Sequence, residues 1–216
     1  MKYFLKEILK GKNIGRAMLF DFLKKIFESE DWLNGKYTVL ELGSAPASYH
    51  RALPSSWNLK RSNINSEGNL DYFVDAEKHF LFDDNYFDGV VFFNLIYLVD
   101  DYSNCLTESL RVSKRFIMFN APLVSGIAPH PHDFNRFSKD RLIGILENLK
   151  IVFKPIDYQI IPIGGSFSSA VALFDIYLRF RLVKIPIYIL AVALDRLDKF
   201  IKRDCPSQYL VLIKKQ

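Results

Sequence analysis

The sequence predicts an α/β protein: a three-layer α/β/α sandwich on a mostly parallel seven-stranded sheet, closed by a C-terminal antiparallel hairpin, with a helical insert before the last strand. Three observations predict it. Apolar, β-branched or aromatic runs alternate with segments whose apolar residues recur at helical spacing, a strand–helix order that repeats five times. The run at 37–42 breaks at Gly43 into a loop of small residues. Two late apolar runs, at 151–162 and 208–214, are separated by a long apolar and basic stretch.

Each element follows in order. Phe4, Leu5, Ile8 and Leu9 keep helical spacing with lysines opposite, and after a break at 11–15 a second helix carries Met18, Leu19, Phe22, Leu23, Ile26 and Phe27. Asn34-Gly35 signals a turn before the first strand. That strand places the Glu41 carboxylate at its C-terminal end, where ligands bind in open α/β sheets. A helix starting at 49–53 meets Pro54, which stops it. Strands are expected at 57–65, just before Asp75, at 89–93 and at 116–122. Asp83, Asp84 and Asn85 form a turn, and Asp88 caps the start of the fourth strand. An amphipathic helix spans 100–114, where Glu108 and Arg111 make a structural i,i+3 pair. Ser138 is an N-cap for a helix at 139–149. In the insert, a Gly164-Gly165 break precedes a helix at 167–180, a basic elbow at Arg179, Arg181 and Lys184, and a second helix at 186–202.

With 216 residues, half of them apolar, the chain makes one domain with a real core. It divides into N-terminal helices (1–34), a ligand-binding core (35–163), the insert (164–206) and a last strand (207–216). A net charge of +5 is a mild basic bias. Cys105 and Cys205 lie far apart without metal-type spacing, so a reduced, cytoplasmic protein without a metal is expected. The N-terminal apolar run is interrupted by Lys2, Lys6, Glu7 and Lys10, unlike a secretory signal. The apolar run at 185–194 is about half of what a transmembrane helix requires.

Val39-Leu-Glu-Leu-Gly43-Ser-Ala-Pro-Ala-Ser resembles the first motif of class I S-adenosylmethionine (SAM) methyltransferases, with Ala45 and Ala47 at the second and third glycine positions. Phe82-Asp-Asp-Asn-Tyr-Phe-Asp88 resembles a second motif of that family nearly position for position. The resemblance covers about residues 35–150. It implies a Rossmann-like fold and SAM as cofactor, bound by Glu41, Gly43, Ser44, Ala45, Asn63, Asp75, Ala76 and Asn94. Asn63 stands where the family has a ribose-binding acid, and Asp75 where it has an adenine contact. Tyr97, in place of a common Glu-His pair, would line the acceptor pocket together with Arg136.

The string His130-Pro-His132-Asp133-Phe-Asn-Arg136-Phe-Ser resembles a loop of methyltransferases from bacterial surface-glycan gene clusters. His130, His132 and Asp133 are candidates for deprotonating a hydroxyl. The alternative is that Asp133 and Arg136 pair to fix the loop. The implied reaction is O-methylation of a sugar hydroxyl on a glycan or lipid-linked acceptor. The insert (166–203) would then be a lid that contacts the inner face of the plasma membrane, or a homodimer interface. A catalytically silent methyltransferase-like subunit is the second reading. RNA methylation is the third, and nucleic-acid binding is disfavoured because no Lys/Arg-rich stretch with interleaved aromatics is present.

Overall fold

The computed structural model describes the chain except residues 1, 30–31, 33–34, 45–48, 66–68, 128–131, 176–177, 179 and 202–204. Helices α1 (Lys2–Leu9) and α2 (Ile14–Ser29) precede β1 (Thr38–Glu41), β2 (Asn58–Asn63), β3 (Tyr72–Phe73) and β4 (Phe87–Phe92). Then come α3 (Tyr102–Val112), β5 (Ser113–Pro122), α4 (Lys139–Val152) and β6 (Ile156–Ile163). The insert supplies α5 (Ser166–Phe174), α6 (Arg181–Leu194) and α7 (Asp198–Ile201), and β7 (Gln208–Lys215) ends the chain. The sheet order is β3-β2-β1-β4-β5-β7-β6. Every neighbouring pair is parallel except those of β7, which runs antiparallel to both β5 and β6. This is the expected α/β/α sandwich.

Alternation along the strands sorts side chains into two cores. Val39, Val91, Phe116, Met118, Leu210 and Leu212 pack with α1, α2 and the insert. Leu40, Val90, Phe92, Ile117, Phe119 and Val211 pack with α3 and α4. The central strands are apolar on both faces because both faces are covered.

The five-fold strand–helix alternation is not what the chain builds. Among the described residues, α-helical crossovers occur only as α3 and α4; the β1–β2 link holds just a 3-10 turn, His50–Ala52. Pro54 ends that turn, and α1 and α2 fill the layer instead, burying Leu19, Leu23 and Phe27 against the sheet. The sixth strand begins at Ile156, not at 151, because α4 runs on to Val152, whose side chain is 70% exposed like that of Ile151 at 71%. The apolar letters at 151–152 therefore mark a frayed helix end facing solvent, before Pro155. In the insert, α5 stops at Phe174 and α6 starts at Arg181, so Pro186 lies inside the helix instead of opening it. Asp88 does not cap its own strand: its carboxylate accepts from Thr38 N at 2.8 Å, pinning the start of β1 to β4. The Asn34 turn, Tyr177 and Arg179 lie outside the described residues.

Two polar devices hold the frame. Ser138 caps α4 by accepting from Arg141 N, as its position predicts. Glu108 and Arg111 form the i,i+3 pair at 2.8 Å, and the guanidinium also donates to the Phe80 and Phe82 carbonyls and to Asp84. Glu108 in turn accepts from Phe80 N. The pair thus clamps the 80–84 loop onto α3. Burial pushes the Glu108 carboxyl up, but the Arg111 hydrogen bonds, the Phe80 amide and the Arg111 charge outweigh it and hold the group below its ordinary value.

Arg111→Met leaves Glu108 buried and unpaired and should destabilise the fold by about 3 kcal/mol in urea denaturation. Because Glu108 is more acidic folded than unfolded, its contribution is complete above the ordinary glutamate range and is lost as pH falls. Glu108→Gln should therefore flatten the acid limb of the stability–pH curve; an unchanged limb would contradict this assignment.

Candidate functional site

A cavity of about 840 Å³ opens at the C-terminal ends of β1, β2, β4 and β5, roofed by the first turn of α2 and by α5. Ligands in open α/β sheets bind at this edge, and the volume falls in the range of small-molecule sites, roughly 300–1,000 Å³. Of the residues singled out in the sequence, Gly43, Asn63, Ala76, Asn94, Tyr97 and His132 line it. Glu41, Ser44, Asp75, Asp133 and Arg136 are not among its lining residues. Ala45 and His130 lie outside the described residues.

The β1 loop shows why the sequence folds this way. Gly43 has φ +66°, a conformation that favours glycine, and a Cβ there would press on Leu95 Cδ1 at 3.1 Å. Glu41 is buried and accepts from Ser44 Oγ at 2.6 Å, while Arg61 Nε donates to the same Ser44 oxygen at 2.8 Å. Glu41 and Ser44 therefore shape the loop from behind. Asn63 donates from Nδ2 to Ser44 O at 3.4 Å and presents itself to the cavity at the end of β2. Asp75 folds its own chain, accepting from Glu77 N at 3.0 Å and pairing with Lys78 at 3.2 Å. It is Ala76 and Glu77 that reach the cavity there.

A chain of amides forms the cavity floor. Asn120, fully buried in β5, accepts from Asn94 N at 2.6 Å and donates to both Asn94 Oδ1 (3.0 Å) and Gln208 Oε1 (2.7 Å). Gln208 donates to the Gly15 carbonyl at 2.9 Å, and Asn94 donates to the Tyr49 hydroxyl at 2.9 Å. These bonds hold Asn94 in the left-handed region, φ +56°, which asparagine tolerates better than most residues. The sequence reading missed Tyr49, Asn120, Gln208 and Arg16. Asn120 had a signal: it is the one amide in the apolar run at 116–122.

Opposite the β1 loop, Phe134 N and Asn135 N donate to the Tyr97 carbonyl, and the Arg136 guanidinium lies over the Tyr97 ring, 5.6 Å from its centroid. Arg136 grips Asp133 through both carboxylate oxygens, and this pairing raises its already high pKa. Asp133 is thus engaged in fixing the loop. His132 packs beside Phe134 and faces the cavity. Burial pushes the Tyr49 and Tyr97 phenols up, so both are neutral donors near pH 7. Among the described residues, no group of three or more His, Cys, Asp or Glu side chains could hold a metal ion, and no helix is long and apolar enough to cross a membrane.

No family model matches the sequence, and no curated protein matches it either. Solved structures do resemble it in fold. A SAM-dependent methyltransferase from Archaeoglobus fulgidus is 16% identical, with 91% of this chain and 94% of that one covered and a TM-score of 0.53. An S-adenosylmethionine-dependent methyltransferase from Mesorhizobium loti is 12% identical over 94% of this chain and 100% of that one, with a TM-score of 0.54. The [4+2]-cyclase SpnF is also 12% identical over 91% of this chain and 79% of that one, with a TM-score of 0.54. The chain has the class I methyltransferase fold.

Asn120→Leu removes three hydrogen bonds, those made by the Asn94 N–H, Asn94 Oδ1 and Gln208 Oε1. It should cost about 3 kcal/mol in chemical denaturation. A loss below about 1 kcal/mol would mean that the amide chain is not a structural support.

Proposed function

We propose that this protein is a SAM-dependent methyltransferase that methylates a hydroxyl of a sugar acceptor, either a glycan or its lipid-linked precursor. The observation that carries the reading is a cavity that joins Gly43, Asn63 and Ala76 at one end to Asn94, Tyr97 and His132 at the other. Fold likeness alone would not decide it, since the same fold serves a cyclase.

The residues present fit the cofactor. The cavity is large enough for a nucleoside with an amino-acid tail. Gly43 offers exposed backbone, and the Asn63 amide can hydrogen-bond a ribose hydroxyl. Ala76 and Val74 supply apolar surface for a base, while Glu77 Oε1 is engaged by Asp100 N. When bound, SAM supplies a methyl group already activated on a sulfonium. The protein's contribution is then orientation and proton removal. His132 faces the cavity, and it would take the acceptor hydroxyl proton on an imidazole nitrogen. Arg136 and Asp133 hold the loop that presents it. Four exposed apolar side chains, Ile64, Ile127, Phe134 and Leu173, rim the cavity, which supports an acceptor with an apolar portion.

Thermal unfolding with S-adenosylhomocysteine tests the cofactor. At about a hundred times its Kd the ligand should add about 2.7 kcal/mol of stability; no shift at millimolar ligand would contradict the reading. On a responsive acceptor, His132→Ala should lower kcat by a factor of roughly 100 or more while S-adenosylhomocysteine binding persists. Equal turnover by the variant would remove the base assignment.

A further inference from the structure

Among the described residues, one charged side chain that lines the cavity has no partner of its own. Glu77 and Asp175 line it as carboxylates, but both are engaged: Glu77 by Asp100 N, and Asp175 by Lys184 at 3.1 Å and by Tyr188. Arg16 lines it as a cation, and no carboxylate pairs with its guanidinium among the described residues. Its backbone N–H is already used by Asn13 Oδ1. The nearest acid on α1, Glu7, is taken by Lys10 at 2.8 Å and Arg51 at 3.4 Å. Its positive charge is felt by its neighbours. Lys12 is pushed down first by burial and then by Arg16, and the Arg16 charge works against the burial that raises Tyr49 and Tyr97.

Tyr49 gives an independent pointer. It is 6% exposed, and it lines the cavity. Asn94 Nδ2 donates to its oxygen at 2.9 Å, so the phenol proton itself has no acceptor among the described residues. A buried donor without a partner costs about 1–3 kcal/mol, and a ligand oxygen would remove that cost. The position of the two groups assigns them to one half of the cavity. Gln208, at the start of β7, holds the Gly15 carbonyl next to Arg16, and Asn94 follows just after the end of β4. Both donors therefore enter over β4, β5 and β7. The cofactor landmarks Asn63 and Ala76 lie beyond β1, over β2 and β3.

We propose that the acceptor half of the cavity binds an oxyanion, held by the Arg16 guanidinium and the Tyr49 hydroxyl. A planar guanidinium beside a neutral phenol donor suits a carboxylate or phosphate. The acceptor is then an acidic sugar, a uronate or a sugar phosphate, with its reacting hydroxyl turned toward His132. The proposal rests on the methyltransferase reading for the word acceptor, but the anion site stands on its own groups.

Isothermal titration of the full chain, with and without saturating S-adenosylhomocysteine, tests it with D-glucuronate, glucose 1-phosphate and glucose as probes. At least one acidic probe should bind and glucose should not; the stronger acid identifies carboxylate or phosphate. Arg16→Met and Tyr49→Phe should each weaken the acidic probe by at least about tenfold, while S-adenosylhomocysteine affinity stays within about twofold. Arg16 is exposed, so its variant should fold even if the tyrosine variant does not. Failure of both acids to bind, equal binding of glucose, or undiminished binding by Arg16→Met would overturn the proposal. So would an Arg16→Met variant that binds S-adenosylhomocysteine more weakly but 5′-methylthioadenosine normally, because the guanidinium would then serve the amino-acid end of the cofactor. A wild-type protein that binds the acids but not S-adenosylhomocysteine would overturn the cofactor reading and leave the anion site in place.

Discussion

The structure depends on one buried amide, Asn120. A parallel sheet buried on both faces leaves no water for a polar side chain, so an amide in its middle must find every partner inside the protein. Asn120 finds them in Asn94, just past the end of β4, and in Gln208, at the start of β7. Through Gln208 the chain reaches the Gly15 carbonyl, and through Asn94 it reaches Tyr49. Three strands, the first turn of α2 and the loop after β1 are thus tied at the sheet edge where the cavity opens. Hydrophobic packing fixes the layers, but it is non-directional. The amides set where the edge groups point.

That constraint explains why the N-terminal helices matter so much here. The β1–β2 crossover lacks an α-helix, so α2 covers the exposed face of the sheet and also forms a wall of the cavity. The insert completes the enclosure. Asp195 accepts from Phe167 N and Ser168 N, and Asp198 from Ser166 N, so the acids that follow α6 cap the start of α5. Gly165 must be small for this, since a Cβ would sit 2.4 Å from Asp198 Oδ2. Tyr188 and Ala191 bury the inner side of α6, while Leu182 and Leu190 stay exposed on it. A segment that reads as uniformly apolar is therefore split between core and surface.

Much of this was legible in the sequence. The Gly43 break announced the loop after β1, and the structure has one, with the glycine at φ +66°. Ser138 and the Glu108–Arg111 pair were readable because their chemistry is local, spanning three residues. Ile151 and Val152 misled because short apolar runs do not distinguish a strand from the end of a helix. The missing crossover helices were hidden by the assumption of regular alternation, although Pro54 marked one of them. Residues that line the cavity were legible where the backbone delivers them, as at Gly43, Asn63, Asn94 and Tyr97. They were not where long-range bonds decide orientation. Asp133 reads as a base until Arg136 is seen to hold it, and Arg16 reads as an ordinary polar-face residue of α2 until the sheet edge is placed beneath it.

The central claim is that the cavity at the ends of β1, β2 and β4 holds an adenosyl cofactor. Hydrogen–deuterium exchange with and without S-adenosylhomocysteine tests it most directly, because it reports where a ligand sits. Slower exchange is expected at three places only: Leu42–Gly43, Asn63–Asn65 and Val74–Glu77. Protection elsewhere with these three unchanged, or no protection at saturating ligand, would contradict it.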